Sequence, residues 1–113
     1  MNHIMELIKQ QDVLFEDLII QLQKDLNLSG IDPDFFNEID TAEELLQRTQ
    51  SFITEMISHY PEAFNRFMYR IDVPEKELTQ INHHALGDLT THLTKLILKR
   101  ELQKIVFRKQ FGA

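Results

Sequence analysis

The feature that most constrains this chain is the stretch from Ala85 to Gln110, which contains no proline and repeats apolar residues every three or four positions. That period predicts one long helix, close to ~40 Å at about 1.5 Å per residue. Its apolar pattern changes face midway. Leu86, Leu89, Leu93, Leu96 and Ile97 share one side, whereas Leu98, Leu102, Ile105 and Val106 point nearly the opposite way. Phe107 and Phe111 return to the first side, mixed with Arg100, Lys104 and Arg108. A helix with apolar surface on both sides is either central in a bundle or touches a second partner beyond its own fold.

The rest of the chain carries the same period. Ile4, Leu7, Ile8, Leu14, Phe15, Leu18, Ile19, Leu22 and Leu26 form one stripe, which predicts a helix from Ile4 to Leu26 with Val13 and Ile20 outside the stripe. Ser29 and Gly30 end it, Gly30 being the expected left-handed residue. Asp32-Pro33 opens a short helical turn, and Thr41 with Glu44 makes a capping box for a helix from Ala42 to Ser58. Leu45, Leu46, Phe52, Ile53, Met56 and Ile57 line that helix. Pro61 restarts the chain for a short helix through Phe64, Phe67, Met68 and Ile71 that ends before Asp72. Val73-Pro74 restarts it again with Leu78 and Ile81 facing inward, and Asn82 to Gly87 reads as a kink or a loop. The expected fold is all-α: one domain over residues 1–113, an antiparallel bundle of four to five helices with a long C-terminal helix.

Composition agrees. Three Gly and three Pro in 113 residues leave few breakpoints, which favours helices joined by short turns over a many-turned β fold. The absence of Cys excludes disulfides, thiol catalysis and thiolate metal sites. Met1 to Gln10 lacks the basic and apolar regions of a signal peptide, and no apolar run approaches the ~18 residues of a membrane span, so a cytoplasmic protein is expected. The net charge of −6 hides an asymmetry. Residues 1–94 hold 6 Lys and Arg against 17 Asp and Glu, a net of −11, whereas residues 95–113 hold 6 against 1, a net of +5.

Few constellations could carry chemistry. Asp32 to Glu43 places Asp32, Asp34, Asp40 and Glu43 at positions 1, 3, 9 and 12 of a calcium loop. Phe36 and Asn37 stand where such a loop needs an oxygen ligand and a glycine, so capping explains the acids more simply. His84, Asp88 and His92 line one helix face, but the two histidines are roughly 12 Å apart along the axis and cannot share an ion, so the face reads as solvated. There is no phosphate loop and no nucleophile elbow, so neither an enzyme nor a cofactor is expected. Tyr60, Phe64, Phe67, Met68 and Tyr69 read as core rather than as a ligand groove.

The basic tail is the strongest functional signal. Lys95, Lys99, Arg100, Lys104, Arg108 and Lys109 are interleaved with Leu98, Ile105, Phe107 and Phe111. Such a helix can dock on an acidic protein surface, bind a nucleic acid or lie on an anionic membrane, or it can settle on the acidic body of its own chain. Met68-Tyr69-Arg70-Ile71-Asp72 and the stretch Leu96 to Phe111 resemble parts of small uncharacterised bacterial helical proteins. That resemblance implies an all-helical bacterial cytoplasmic domain and nothing about activity. The expected function is a protein-interaction module that self-associates as a homodimer through Leu98, Leu102, Ile105 and Val106, with Lys99, Arg100, Lys104 and Arg108 around them. The alternative is nucleic-acid or anionic-membrane binding through the same basic segment.

Overall fold

The computed structural model describes residues 12–74, 76 and 86–111. Among these, four α-helices and one 3-10 turn follow one another without a strand. The first turns expected of helix one, the restart through Leu78 and Ile81, and the path from Asn82 to Ala85 lie outside the described residues.

Helix α1 spans Asp12–Leu28. Leu18, Leu22 and Leu26 are fully buried, Leu14, Phe15 and Ile19 half-buried, and Ile20 exposed, as the stripe requires. The helix runs two residues past Leu26 because its end is built by the turn that follows. Ile31 N–H donates to the Leu26 carbonyl (2.9 Å) and Gly30 N–H to the Asn27 carbonyl (3.2 Å). This paired closure needs a left-handed residue between them, and Gly30 supplies it at φ 78°.

A 3-10 turn, Pro33–Phe36, seats Phe36 in the core. Asp32 caps it, its Oδ1 accepting from Asp34 N–H at 2.9 Å, and Asp34 Oδ1 accepts from Asn37 Nδ2 at 2.8 Å. These carboxylates therefore serve the turn, as the capping reading expects. Helix α2 spans Ala42–His59. Thr41 Oγ1 accepts from Glu44 N–H (3.1 Å), and the Glu44 carboxylate reaches back to Asp40 N–H (3.4 Å), one residue earlier than in the usual box. Phe52, from α2, stands at the centre of an aromatic cluster, with ring centroids 5.2 to 6.3 Å from Phe35, Phe36, Phe64 and Phe67.

Helix α3, Pro61–Ile71, buries Phe64, Phe67 and Ile71 and stops at Asp72, which takes the left-handed conformation at φ 60°. Helix α4 spans Leu86–Phe111. It lies against both α1 and α2 and touches α3. It is antiparallel to α1, because Lys104 meets Asp25 while Lys109, further on, meets the earlier Asp17.

This placement decides between the two explanations of the double-faced helix. Leu93 and Ile97 are buried, and so are Leu98, Leu102 and Ile105 of the second stripe, all within one chain. At about 1.5–3 kcal/mol for each buried side chain, this coverage holds α4 in the bundle. Buried Thr49 and Thr94 donate their hydroxyls to carbonyls one turn back in their own helices, each at 2.7 Å. No helix among the described residues is long and apolar enough to cross a membrane.

Candidate functional site

Two carboxyl groups lie in the core, which is costly unless each is paired or neutral. Asp25 of α1 is 2% exposed and Glu101 of α4 is 0% exposed. Asp25 is well supplied. Gln21 Nε2, one turn earlier, donates to Oδ2 (3.0 Å), Lys104 Nζ approaches the same oxygen (3.4 Å), and Arg70 Nε of α3 donates to Oδ1 (3.3 Å). Burial acts to raise its pKa, but hydrogen bonds from Glu101 and Gln21 and the Lys104 charge outweigh it, so Asp25 titrates below its ordinary value.

Glu101 is the opposite case. Neither of its oxygens receives a hydrogen bond, although Lys104 Nζ lies 3.4 Å from Oε1. Burial first, then the hydrogen bond with Asp25 and the Asp25 charge, push its pKa up to about 9 against the weaker pull of Lys104. A neutral acid resolves the missing donors, because a protonated carboxyl donates instead of accepting. Glu101 therefore holds a proton at neutral pH and gives its hydrogen bond to Asp25. The pair is buried inside the bundle, and Asp25 holds Arg70 and Lys104 from below.

Above the pair the surface is basic. Arg66 Nε donates to the Ser29 carbonyl (3.3 Å), Arg100 Nε to the Ile71 carbonyl (3.1 Å) and Lys104 Nζ to the Arg70 carbonyl (3.4 Å), so α3 and α4 present their cations side by side. Two open clefts flank this seam. One, about 470 Å³, is lined by Gln21, Arg100, Gln103, Lys104, Phe107 and Arg108. The other, about 650 Å³, is lined by Leu28, Ser29, Asn65, Arg66, Tyr69 and Arg70. Tyr69 is 90% exposed, and Phe107 and Phe111 are 64% and 73% exposed with ring centroids 5.0 Å apart. Comparison with protein families, curated proteins and solved structures gave no match.

The sequence-predicted contact residues divide sharply. Leu98, Leu102 and Ile105 belong to the chain's own core, which corrects the expectation that they face outward, and Val106 alone of the four is left at the surface, 37% exposed. Lys99 and Arg100 are half-buried, Lys104 reaches inward to the acid pair, and Arg108 is exposed. Part of the tail does settle on acids of its own chain, through Lys109 and Asp17 (2.9 Å), Lys104 and Asp25, and Arg100 and Asp72 (3.9 Å). The aromatic group splits, with Phe64 and Phe67 in the core and Tyr60 and Tyr69 outside. His92 is exposed, whereas His84 and the Asp88 side chain lie outside the described residues. Sequence reasoning missed Asp25, Glu101, Arg66 and Arg70. A signal existed for the acids, since Glu101 falls four residues from both Ile97 and Ile105, inside a buried row. The two arginines carried none, because only the docking of α3 beside α4 brings them to the seam.

Proposed function

We propose that this chain is a cytoplasmic protein-interaction module that self-associates through the C-terminal end of α4. The observation that carries the reading is the pair of exposed, mutually packed rings of Phe107 and Phe111, beside Val106. Residues four apart share a helix face, so the two rings form one apolar ledge. Contiguous exposed aromatic surface of this kind is characteristic of protein contacts. Arg108 at its edge sets the complement, a surface that is acidic as well as apolar. Residues 1–94, at −11, offer such a surface on a second copy.

Sedimentation equilibrium tests the reading. The wild type should show reversible association, and Phe107→Glu with Phe111→Glu should give a monomer with unchanged helical circular dichroism. A wild type that stays monomeric at concentrations on the order of tens of micromolar overturns it. A second reading rests on Tyr69 standing exposed between Arg66 and Arg70. Aromatic faces among cations also suit a nucleic acid, or the headgroups of an anionic membrane, and such binding would collapse at high salt.

A further inference from the structure

The charges around α1 are sorted to its two sides, the exception being Arg66, which packs on Ser29 and Gly30 just before the acidic segment begins. Gln21 lines the basic cleft with Arg100, Lys104 and Arg108. Gln23, two residues later and so about 200° around the helix, donates instead to the Phe36 carbonyl (3.2 Å) and to Asn37 Oδ1 (3.0 Å) of the 3-10 turn. The segment it holds is strongly acidic. Asp32, Asp34, Glu38, Asp40 and Glu43 are exposed, Glu44 is half-buried, and no Lys or Arg occurs between Asp25 and Gln47. Arg48, next in the chain, has its Nη1 taken by the Phe35 and Asn37 carbonyls, at 3.0 and 3.1 Å. Glu16, two turns before Gln23, extends the same acidic side.

We infer that the occupant of the basic flank formed by Arg70, Arg100, Lys104 and Arg108 is the acidic Asp32–Glu44 segment of a second copy, joined head to tail. This rests on the self-association proposed above and specifies what the α4 surface meets. Complementary charge on opposite flanks favours that pairing and opposes the two like-with-like pairings. Phe107, in the wall of the basic cleft, supplies apolar contact within the same footprint. With Glu101 neutral, Asp25 and Asp72 are the acids paired with the four cations of the flank, which keeps its positive sign. Because the two patches lie on opposite sides, one pair cannot satisfy both, and the contact is heterologous. It therefore propagates as a chain or closes as a ring of more than two copies.

The experiment is sedimentation velocity on four samples: wild type, Gln103→Glu with Arg108→Glu in the basic cleft, Glu38→Lys with Asp40→Lys, and an equimolar mixture of the two variants, each shown to be folded by circular dichroism. The wild type should grow past a dimer with concentration, and its association should weaken at least about tenfold between about 50 and about 500 mM salt. Each variant alone should be monomeric, and mixing them should restore assembly, since reversed flanks complement one another. A mixture that stays monomeric, or an acidic-flank variant that assembles as the wild type does, overturns the inference. If Phe107→Glu with Phe111→Glu abolishes assembly while the charge variants do not, self-association stands and this pairing falls. A wild type that remains monomeric overturns both, and one that instead binds a labelled single-stranded oligonucleotide reassigns the flank to nucleic acid.

Discussion

Replacing Glu101 by Gln should stabilise the protein and remove a definite part of its pH dependence. The side chain of Glu101→Gln keeps the size of the acid and can still donate a hydrogen bond to Asp25, but it does not titrate. In the wild type the folded state holds a proton to about pH 9 that the unfolded chain releases near its ordinary 4.5. For such a raised pKa the contribution to stability is complete below about 4.5 and is lost progressively as pH rises towards 9. The slope in that window is about −1.4 kcal/mol per pH unit, so by pH 7 the buried acid has forfeited about 3 kcal/mol. Asp25 has the opposite sign. Its lowered pKa contributes stability above the ordinary 3.8 that is lost as pH falls below it. The pair therefore favours the fold most near pH 4 to 5, and the variant isolates the alkaline limb. Urea unfolding followed by circular dichroism from pH 5 to pH 9 measures it. The gap between Glu101→Gln and wild type should widen with pH, reaching about 3 kcal/mol in favour of the variant at pH 7. A gap that is constant across this range, or a variant less stable than wild type at pH 8, would refute a neutral buried Glu101.

Other tests follow from the packing. Leu102→Ala should cost about 2–5 kcal/mol in the same urea assay because the side chain belongs to the core of a single chain, whereas Val106→Ala should cost less than about 1 kcal/mol. Equal small losses for the two would show that the second stripe is not internal. Gly30→Ala should cost about 1–2 kcal/mol, since φ 78° is strained for any side chain while the nearest atom to an added Cβ, Arg66 Nη2, is 3.7 Å away in ordinary contact. A thermal melt unchanged by that substitution would show that the turn can relax.

The helices were legible because their determinants are local. Thr41 and Glu44 mark a start, Gly30 and Pro61 mark boundaries, and the rows from Leu18 to Leu26 and from Leu45 to Met56 fix which sides turn inward. The two-faced pattern of Ala85 to Gln110 requires two neighbours, and α4 has them in α1 and α2. The pattern could not say whether the second neighbour was the same chain. That depends on how α1 and α2 straddle α4, which no spacing within α4 encodes. The basic tail was visible as a run of charge, but its fate was not. Lys104 is drawn inward by an aspartate 79 positions away in the chain, and Arg70 joins it from a third helix. Glu101 was counted as a charge in the sequence, and burial has made it a neutral group.

The buried threonines and the buried acids have different consequences for how α4 can move. A hydroxyl bonded to its own helix asks nothing of the neighbouring one. Thr49 and Thr94 would remain satisfied if α4 slid along α2, so these hydrogen bonds set no register for that seam. A slide of one turn, about 5.4 Å, would instead pull Lys104 from Asp25 and strand a carboxylate that Arg70 and Gln21 hold from other directions. The acid pair thus acts as a buried index pin, with Lys109 on Asp17 and Arg100 on the Ile71 carbonyl as surface detents. Removing the Asp25 carboxylate would leave a bundle still greasy enough to collapse, but with the position of α4 held by packing and surface pairs alone.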